Sequence, residues 1–261
     1  ELSNWGEIFL NPELKKILQY AYFKKINLTS YTGVNLNNVS EDILECLVKY
    51  KLRYLNISLD GATNKTYKIY RQGGDFNKVI RNIKLINYFK KKYSSKFPQL
   101  SWQFILMGHN IHELLAARKM ANTLGMHFFF KLNNNPSYSP IVDKKLVRKI
   151  SKLSVMSRKE FFQKYKRLYI PFCKQFWTSP QINWDGKLLG CCKNIYDDFG
   201  NVFDTSLKHC LNNERYIYVK QMILGKKEGR SDIPCSKCHI YPLIKRKSLK
   251  KREILRNFNI I

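Results

Sequence analysis

Phe172-Cys173, then Gln181-Ile182-Asn183-Trp184-Asp185-Gly186-Lys187-Leu188-Leu189-Gly190-Cys191-Cys192, and later Pro234-Cys235-Ser236-Lys237-Cys238 are the stretches around which the chain is organised. Thiols come from three places in one segment, and the last pair has C-x-x-C spacing. The alternating Gln-Ile-Asn-Trp, the turn pair Asp185-Gly186 and the following Lys-Leu-Leu-Gly predict a hairpin. Such a hairpin folds Cys191 back toward Cys173, and a long loop with a helix returns Cys235 and Cys238 to the same place. Four sulfurs gathered this way suit an iron–sulfur cluster or a tetrahedral zinc, and spacing does not separate the two. Disulfides are disfavoured, because seven cysteines in 261 residues without a signal peptide are too sparse for a small secreted scaffold. Cys46 and Cys210 lack partner spacing and read as packed thiols. One of Cys191 and Cys192 is expected to be a ligand, since neighbours on a strand point to opposite faces.

The rest of the chain is large enough for one main domain and an appendage. A hydrophobic fraction of 44% supplies a core. No apolar run of about 18 residues is present, so no membrane span is expected. With no targeting sequence, the expected location is cytoplasmic. The net charge of +28 admits a polyanion partner such as RNA. The joint abundance of Lys, Asn, Ile, Tyr and Phe favours codon bias over that reading, because the basic residues are spread along the chain. Lys245 to Arg256 forms the one dense basic run.

Helix and strand signals alternate from the N-terminus. Asn11-Pro12-Glu13 starts a helix through Ala21. Ile26 to Tyr31 reads as a strand, and Ser40 caps a helix with an apolar face of Ile43, Leu44, Leu47 and Val48. Tyr54 to Leu59 is a strand, followed by helices over Asn64 to Tyr70 and Phe76 to Lys91. Leu100 to Met107 is a strand, Ile111 to Leu124 a helix ended by Gly125, and Met126 to Leu132 a strand. Helices over Lys144 to Leu153 and Arg158 to Tyr165 lead to the cysteine segment. The alternation implies parallel strands with crossovers, in an α/β barrel or an open sheet. Polar groups fall at the expected strand ends: Glu7, Thr32, Ser58 with Asp60, Asn110, and Asn133 to Asn135.

These residues carry a resemblance. Trp5-Gly6-Glu7-Ile8-Phe9-Leu10-Asn11-Pro12 resembles the Gly-Gly-Glu-Pro element of radical S-adenosylmethionine enzymes. Asn56-Ile57-Ser58-Leu59-Asp60-Gly61-Ala62-Thr63, with Tyr67, Tyr70-Arg71 and Gly74-Asp75-Phe76, looks like their fourth-strand element. Phe104-Ile105-Leu106-Met107 with Asn110 and Glu113-Leu114 is similar to their fifth strand and the following helix. The cysteine segment resembles the SPASM or twitch auxiliary-cluster domain in its one-cluster form, with spacing closest to the radical dehydrogenases of aminoglycoside biosynthesis. Two departures stand out. Trp5 and Ile8 replace a Gly and the Pro of the first element, and no C-x3-C-x2-C loop occurs anywhere in the sequence.

The resemblance implies a partial (β/α) barrel over 1–140 with its first strand missing, a helical linker over 141–170, and an auxiliary-cluster domain over 171–261 with a basic C-terminal helix. It implies a [4Fe–4S] auxiliary cluster on Cys173, Cys191, Cys235 and Cys238. It also implies an S-adenosylmethionine site. There Glu7 takes the methionine ammonium, Ser58 and Asp60 the ribose hydroxyls, and Asn110 lies in the same pocket, while Arg71 either meets the methionine carboxylate or serves the fold. Glu7 and Ser58, read as lying on the first and third strands of the chain, should then line one cavity. In the family, a second [4Fe–4S] cluster on the absent loop reduces S-adenosylmethionine to a 5′-deoxyadenosyl radical, with electrons from a donor such as flavodoxin or ferredoxin. That catalytic cluster is expected only in a full-length chain. The missing loop reads as truncation rather than natural loss, because losing a barrel strand exposes a sheet edge. The implied reaction is oxidation of a small metabolite such as a sugar or cyclitol. The alternatives are a maturase acting on a peptide or protein residue, and a non-catalytic cluster-binding or RNA-binding scaffold.

Overall fold

The computed structural model describes residues 1–3, 6–152 and 154–245. Trp5 of the first family-like element, Leu153 of the expected linker helix and the basic run beyond Lys245 lie outside the described residues. The chain divides between Phe161 and Phe162 into two compact units.

The first unit is built on four strands in the order β1 (Thr29–Val34), β2 (Tyr54–Ser58), β3 (Gln99–Leu106) and β4 (His127–Leu132). Every neighbouring pair is parallel. A doubly wound sheet reverses its strand order at a switch point. This sheet never reverses and does not close, so it is an open segment of an α/β barrel. The crossovers are α2 (Glu41–Lys49) between β1 and β2, α3 (Asn64–Tyr70) and α4 (Phe76–Lys92) between β2 and β3, and α5 (Leu114–Thr123) between β3 and β4. Before them, α1 (Leu14–Phe23) follows a turn in which Asn11 accepts a hydrogen bond from the Glu13 amide.

The sheet has two chemically different faces, because strand side chains alternate. Leu55, Ile57, Leu100, Trp102, Phe104 and Phe130 are all buried. Trp102 packs its ring 6.2 Å from Phe76 of α4, on the helix-covered face. The opposite face carries Asn56, Ser58, Ser101, Gln103 and Lys131. Gly33 belongs to this face as well. A Cβ there would sit 1.8 Å from Ser58 Oγ, so the missing side chain is what admits the serine.

Two expectations shift. Ile8–Leu10 is a 3-10 turn, not a strand, because Glu7 caps it and accepts from the Phe9 amide at 3.4 Å. The first strand starts at Thr29 rather than Ile26, since Ile26 still bonds back to Ala21 at the end of α1.

Glu113 ties the crossovers together. Its carboxylate accepts from the Ala62 amide at 2.6 Å, the Thr63 hydroxyl at 2.7 Å and the Thr66 hydroxyl at 2.9 Å, at the start of α3. Burial alone would raise its pKa, yet these hydrogen bonds outweigh it and hold the carboxyl below its ordinary value. A depressed folded-state pKa adds stability above the unfolded pKa and loses it as pH falls through the folded one. Glu113→Gln should therefore cost about 1.5–3 kcal/mol at neutral pH, the range for hydrogen bonds to a charged group. The gap from wild type should shrink in acid. Urea unfolding of both proteins at neutral and acidic pH checks it.

Candidate iron–sulfur centre and cofactor site

The second unit opens with α7 (Arg158–Tyr165), which crosses the unit boundary after α6 (Lys144–Ser151). It continues with α8 (Gln175–Thr178), α9 (Leu207–Asn212), α10 (Glu214–Ile223) and α11 (Tyr241–Lys245). Its core is aromatic. Phe176, Phe199 and Tyr216 meet with ring centroids 5.3 to 5.6 Å apart, and the Tyr216 hydroxyl donates to the Phe176 carbonyl at 3.0 Å.

The hairpin forms between those rings and the cysteines. Ile182 pairs with Leu188 antiparallel, and Lys187 pairs with Asn201, which adds a third extended segment. The Gly186 amide bonds to the Asn183 carbonyl, and the Asn183 amide to the Lys187 carbonyl. The connection is therefore a three-residue loop, Trp184-Asp185-Gly186, rather than a two-residue turn. Gly186 sits at φ +83°, the left-handed position that ends such a loop. Gly190 is required for a different reason. A Cβ on it would lie 2.3 Å from the Phe176 ring, so the strand can run flat over that ring into Cys191.

Cys173, Cys191, Cys235 and Cys238 all line one cavity, together with Phe172, Lys193, Ile223 and Tyr241. It holds about 300 Å³ of empty space, its open mouth included. Cys173 comes from the 3-10 turn Phe172–Lys174, and Cys235 from the 3-10 turn Pro234–Lys237. The Cys238 amide donates to the Cys235 carbonyl, which holds the C-x-x-C pair in a tight turn. Cys192 does not line the cavity; its amide is held by Gln175 at 2.8 Å. Neither Cys46, in the first unit, nor Cys210, in the aromatic core, lines it. Among the described residues, no three His, Cys, Asp or Glu side chains converge closely enough to hold a single ion. The four sulfurs line a shared wall instead.

Burial dominates the electrostatics. It pushes the Cys191 thiol up to about 11, against the pull of the Lys193 and Asn194 amides. Burial and the neighbouring thiols raise Cys173 and Cys235 further still. Apolar walls and four sulfur donors fit a thiolate-ligated cluster, whose irons would replace the protons.

Residues 173–239 match the SPASM family, an iron–sulfur cluster-binding domain. No curated protein matches the chain. A solved structure described as "Native anSMEcpe with bound AdoMet" is similar, at 13% sequence identity and a TM-score of 0.48, over 89% of this chain and 68% of that one. Similarity at that level says nothing of what this chain binds. The SPASM match covers the hairpin and all four cysteines of the cavity, while the lining residues Phe172 and Tyr241 fall just outside it.

The four residues expected at a cofactor site separate into two groups. Glu7 accepts from the Asn35 amide at 2.7 Å, just past the C-terminal end of β1. Burial raises its pKa, opposed by that bond and others and, last, by the Arg71 charge. Ser58 ends β2 and accepts weakly from Gln103 at 3.4 Å. Both lie at the C-terminal end of the sheet. Asp60 and Asn110 make several hydrogen bonds within the fold. Asp60 is fully buried, with Oδ1 on the Ile105 amide at 2.8 Å and Oδ2 on Arg71 at 2.7 and 2.8 Å. Asn110 accepts from the Met107 amide and donates to the Asp60 and Ile105 carbonyls. The strand-end groups Asn133 and Asn135 hold loop amides, and Thr32 donates to the Ser3 carbonyl. Glu113 was not foreseen as a structural anchor, and its partners lie about fifty residues away.

Burial raises the Asp60 carboxyl, and Arg71 is the largest influence opposing it. Arg71→Met would leave that charge buried and unpaired, at a cost of about 3–5 kcal/mol at neutral pH. With the compensating cation gone, the folded-state pKa rises further. The loss should therefore be relieved as pH falls and Asp60 takes a proton. Denaturant titrations across pH measure it, and an Arg71→Met protein as stable as wild type would assign Arg71 no such role.

Proposed function

We propose that the chain belongs to a radical S-adenosylmethionine oxidoreductase whose SPASM domain binds one auxiliary [4Fe–4S] cluster on Cys173, Cys191, Cys235 and Cys238. The observation that carries this reading is one cavity lined by those four thiols inside a matched iron–sulfur domain. Bound there, the cluster would supply a one-electron acceptor for oxidation of a small metabolite. The chain's own residues do the remaining work. The aromatic core supports the hairpin, Gln175 holds the Cys192 amide, and apolar side chains line the cavity around the sulfurs. In the first unit, Glu7 and Ser58 are the residues proposed to meet S-adenosylmethionine, by charge-assisted and hydroxyl hydrogen bonds.

Anaerobic reconstitution followed by iron and sulfide analysis tests the cluster. Wild type should bind both, Cys191→Ser or Cys235→Ser should lose most of them, and Cys46→Ser and Cys192→Ser should not. Stoichiometric zinc without iron would sink the assignment. A second expectation follows from the absence of a C-x3-C-x2-C loop in these 261 residues. The chain as given should form no 5′-deoxyadenosine from S-adenosylmethionine under reducing conditions, and chromatographic detection of that product would contradict it.

A further inference from the structure

All strands of a parallel sheet start at the same end, so the turns that lead into β1, β2 and β3 are neighbours. Residues 22–27, 49–53 and 90–97 span those turns. They hold nine of the 47 Lys and Arg and none of the 19 Asp and Glu. Dispersed in sequence, these cations are gathered by the fold at the end of the sheet away from Glu7 and Ser58. Among the described residues only Lys92 of the nine has an acidic partner, Glu45 at 2.7 Å. The C-termini of α1, α2 and α4 lie here too, but about half a negative charge at each leaves most of the nine uncompensated.

Aromatic rings are interleaved with the charges, and contacts tie the three turns into one surface. Lys51 Nζ lies 5.7 Å from the Tyr22 ring and Lys49 Nζ 5.8 Å from the Tyr50 ring, and those two rings are 5.9 Å apart. The Arg53 guanidinium lies 4.3 Å from the Phe97 ring and donates to Asn27 Oδ1 at 2.7 Å. Tyr22, Phe23 and Tyr93 are exposed, and so are Lys24, Lys25 and Lys51. The backbone shows the same bias toward charge. In such turns the residue just past the helix adopts the left-handed region, where glycine is easiest. Gly125 fills that position before β4 at φ +67°, whereas Lys25 and Lys51 fill it before β1 and β2 at +58° and +53°.

We propose that this end of the first unit binds a single-stranded nucleic acid, its phosphates on Lys24, Lys25 and Lys51 and its bases stacked on Tyr22, Phe23 and Tyr93. Charge calls for a polyanion, and exposed rings set among ammonium groups are what a flexible strand with alternating phosphates and bases can use. An anionic lipid surface fits less well. Among the described residues of these turns, the exposed large side chains without a polar group are Phe23 and Ile26. The hydroxyls of Tyr22, Tyr93 and Ser94 would lose water in a bilayer at a cost, whereas a hydrated strand leaves them wet. The inference is independent of what the second unit binds.

Fluorescence anisotropy of short labelled oligouridine and oligothymidine, titrated with the whole chain over a series of KCl concentrations, tests it. At least one should bind, with log K falling linearly in log salt concentration. Lys51→Gln should weaken binding and flatten that slope by about 0.7, the contribution of one neutralised phosphate on a single strand. Phe23→Ala should weaken binding about fivefold or more, as loss of a stacking ring does, and leave the slope unchanged. Lys65→Gln removes the same charge from an exposed position on α3, at the other end of the sheet, and should match wild type. Equal losses in Lys51→Gln and Lys65→Gln would reduce the effect to net charge and overturn the proposal. So would an unaffected Phe23→Ala, or no binding of either oligonucleotide at low salt. Co-sedimentation with phosphatidylglycerol vesicles is the rival arm. Vesicles that bind wild type but not Lys51→Gln, with neither oligonucleotide bound, would give the surface to lipid and overturn the nucleic-acid assignment.

Discussion

Four thiols inside an apolar wall are unfavourable as thiolates and have little to do as thiols. Everything in the second unit is arranged to hold them there nonetheless. The Phe176, Phe199 and Tyr216 rings make a rigid floor, Gly190 lets the strand pass directly over it, and a tight turn presents Cys235 and Cys238. Burial pushes the Cys173, Cys191 and Cys235 pKa values up. A bound cation cluster reverses that logic, because metal–thiolate bonds stabilise the deprotonated sulfur. The stability of this unit is therefore expected to be coupled to what it binds.

The first unit solves a different problem with the same economy. An open parallel sheet must cover both faces or leave one for a ligand. Here one face is sealed by helices over Trp102 and Phe104, and the other is polar. The ends of the strands are braced by carboxylates: Asp60 on Arg71 and the Ile105 amide, Glu113 on the start of α3. On the polar face Ser58, Gln103 and Lys131 are joined by hydrogen bonds.

Much of this was legible in the residues. Periodicity located β1 to β4 to within a few positions, though the expected strand at Ile8 is a 3-10 turn, and Asp185-Gly186 announced the hairpin, whose loop proved one residue longer because Trp184 joins it. The C-x-x-C pair and the single turn back to Cys191 pointed to one cavity. Which of Cys191 and Cys192 lines it was not legible, since adjacent residues differ only in the direction the folded backbone gives them. Asp60 and Asn110 sit at strand ends, and the bonds they make to Arg71 and to backbone carbonyls are ones that no local pattern reveals. Glu113 is the same case over a longer range. The Lys131–Gln103–Asn56 network joins three strands, and only the sheet register makes neighbours of them.

The central claim is that these four sulfurs ligate one iron–sulfur cluster. Anomalous diffraction at the iron and zinc edges, from crystals of anaerobically reconstituted protein, tests it most directly. The account predicts a compact iron signal inside the cavity, bonded to Cys173, Cys191, Cys235 and Cys238, with Cys192 outside bonding distance. A single zinc peak in the cavity, or iron held by Cys192 in place of Cys191, would contradict it.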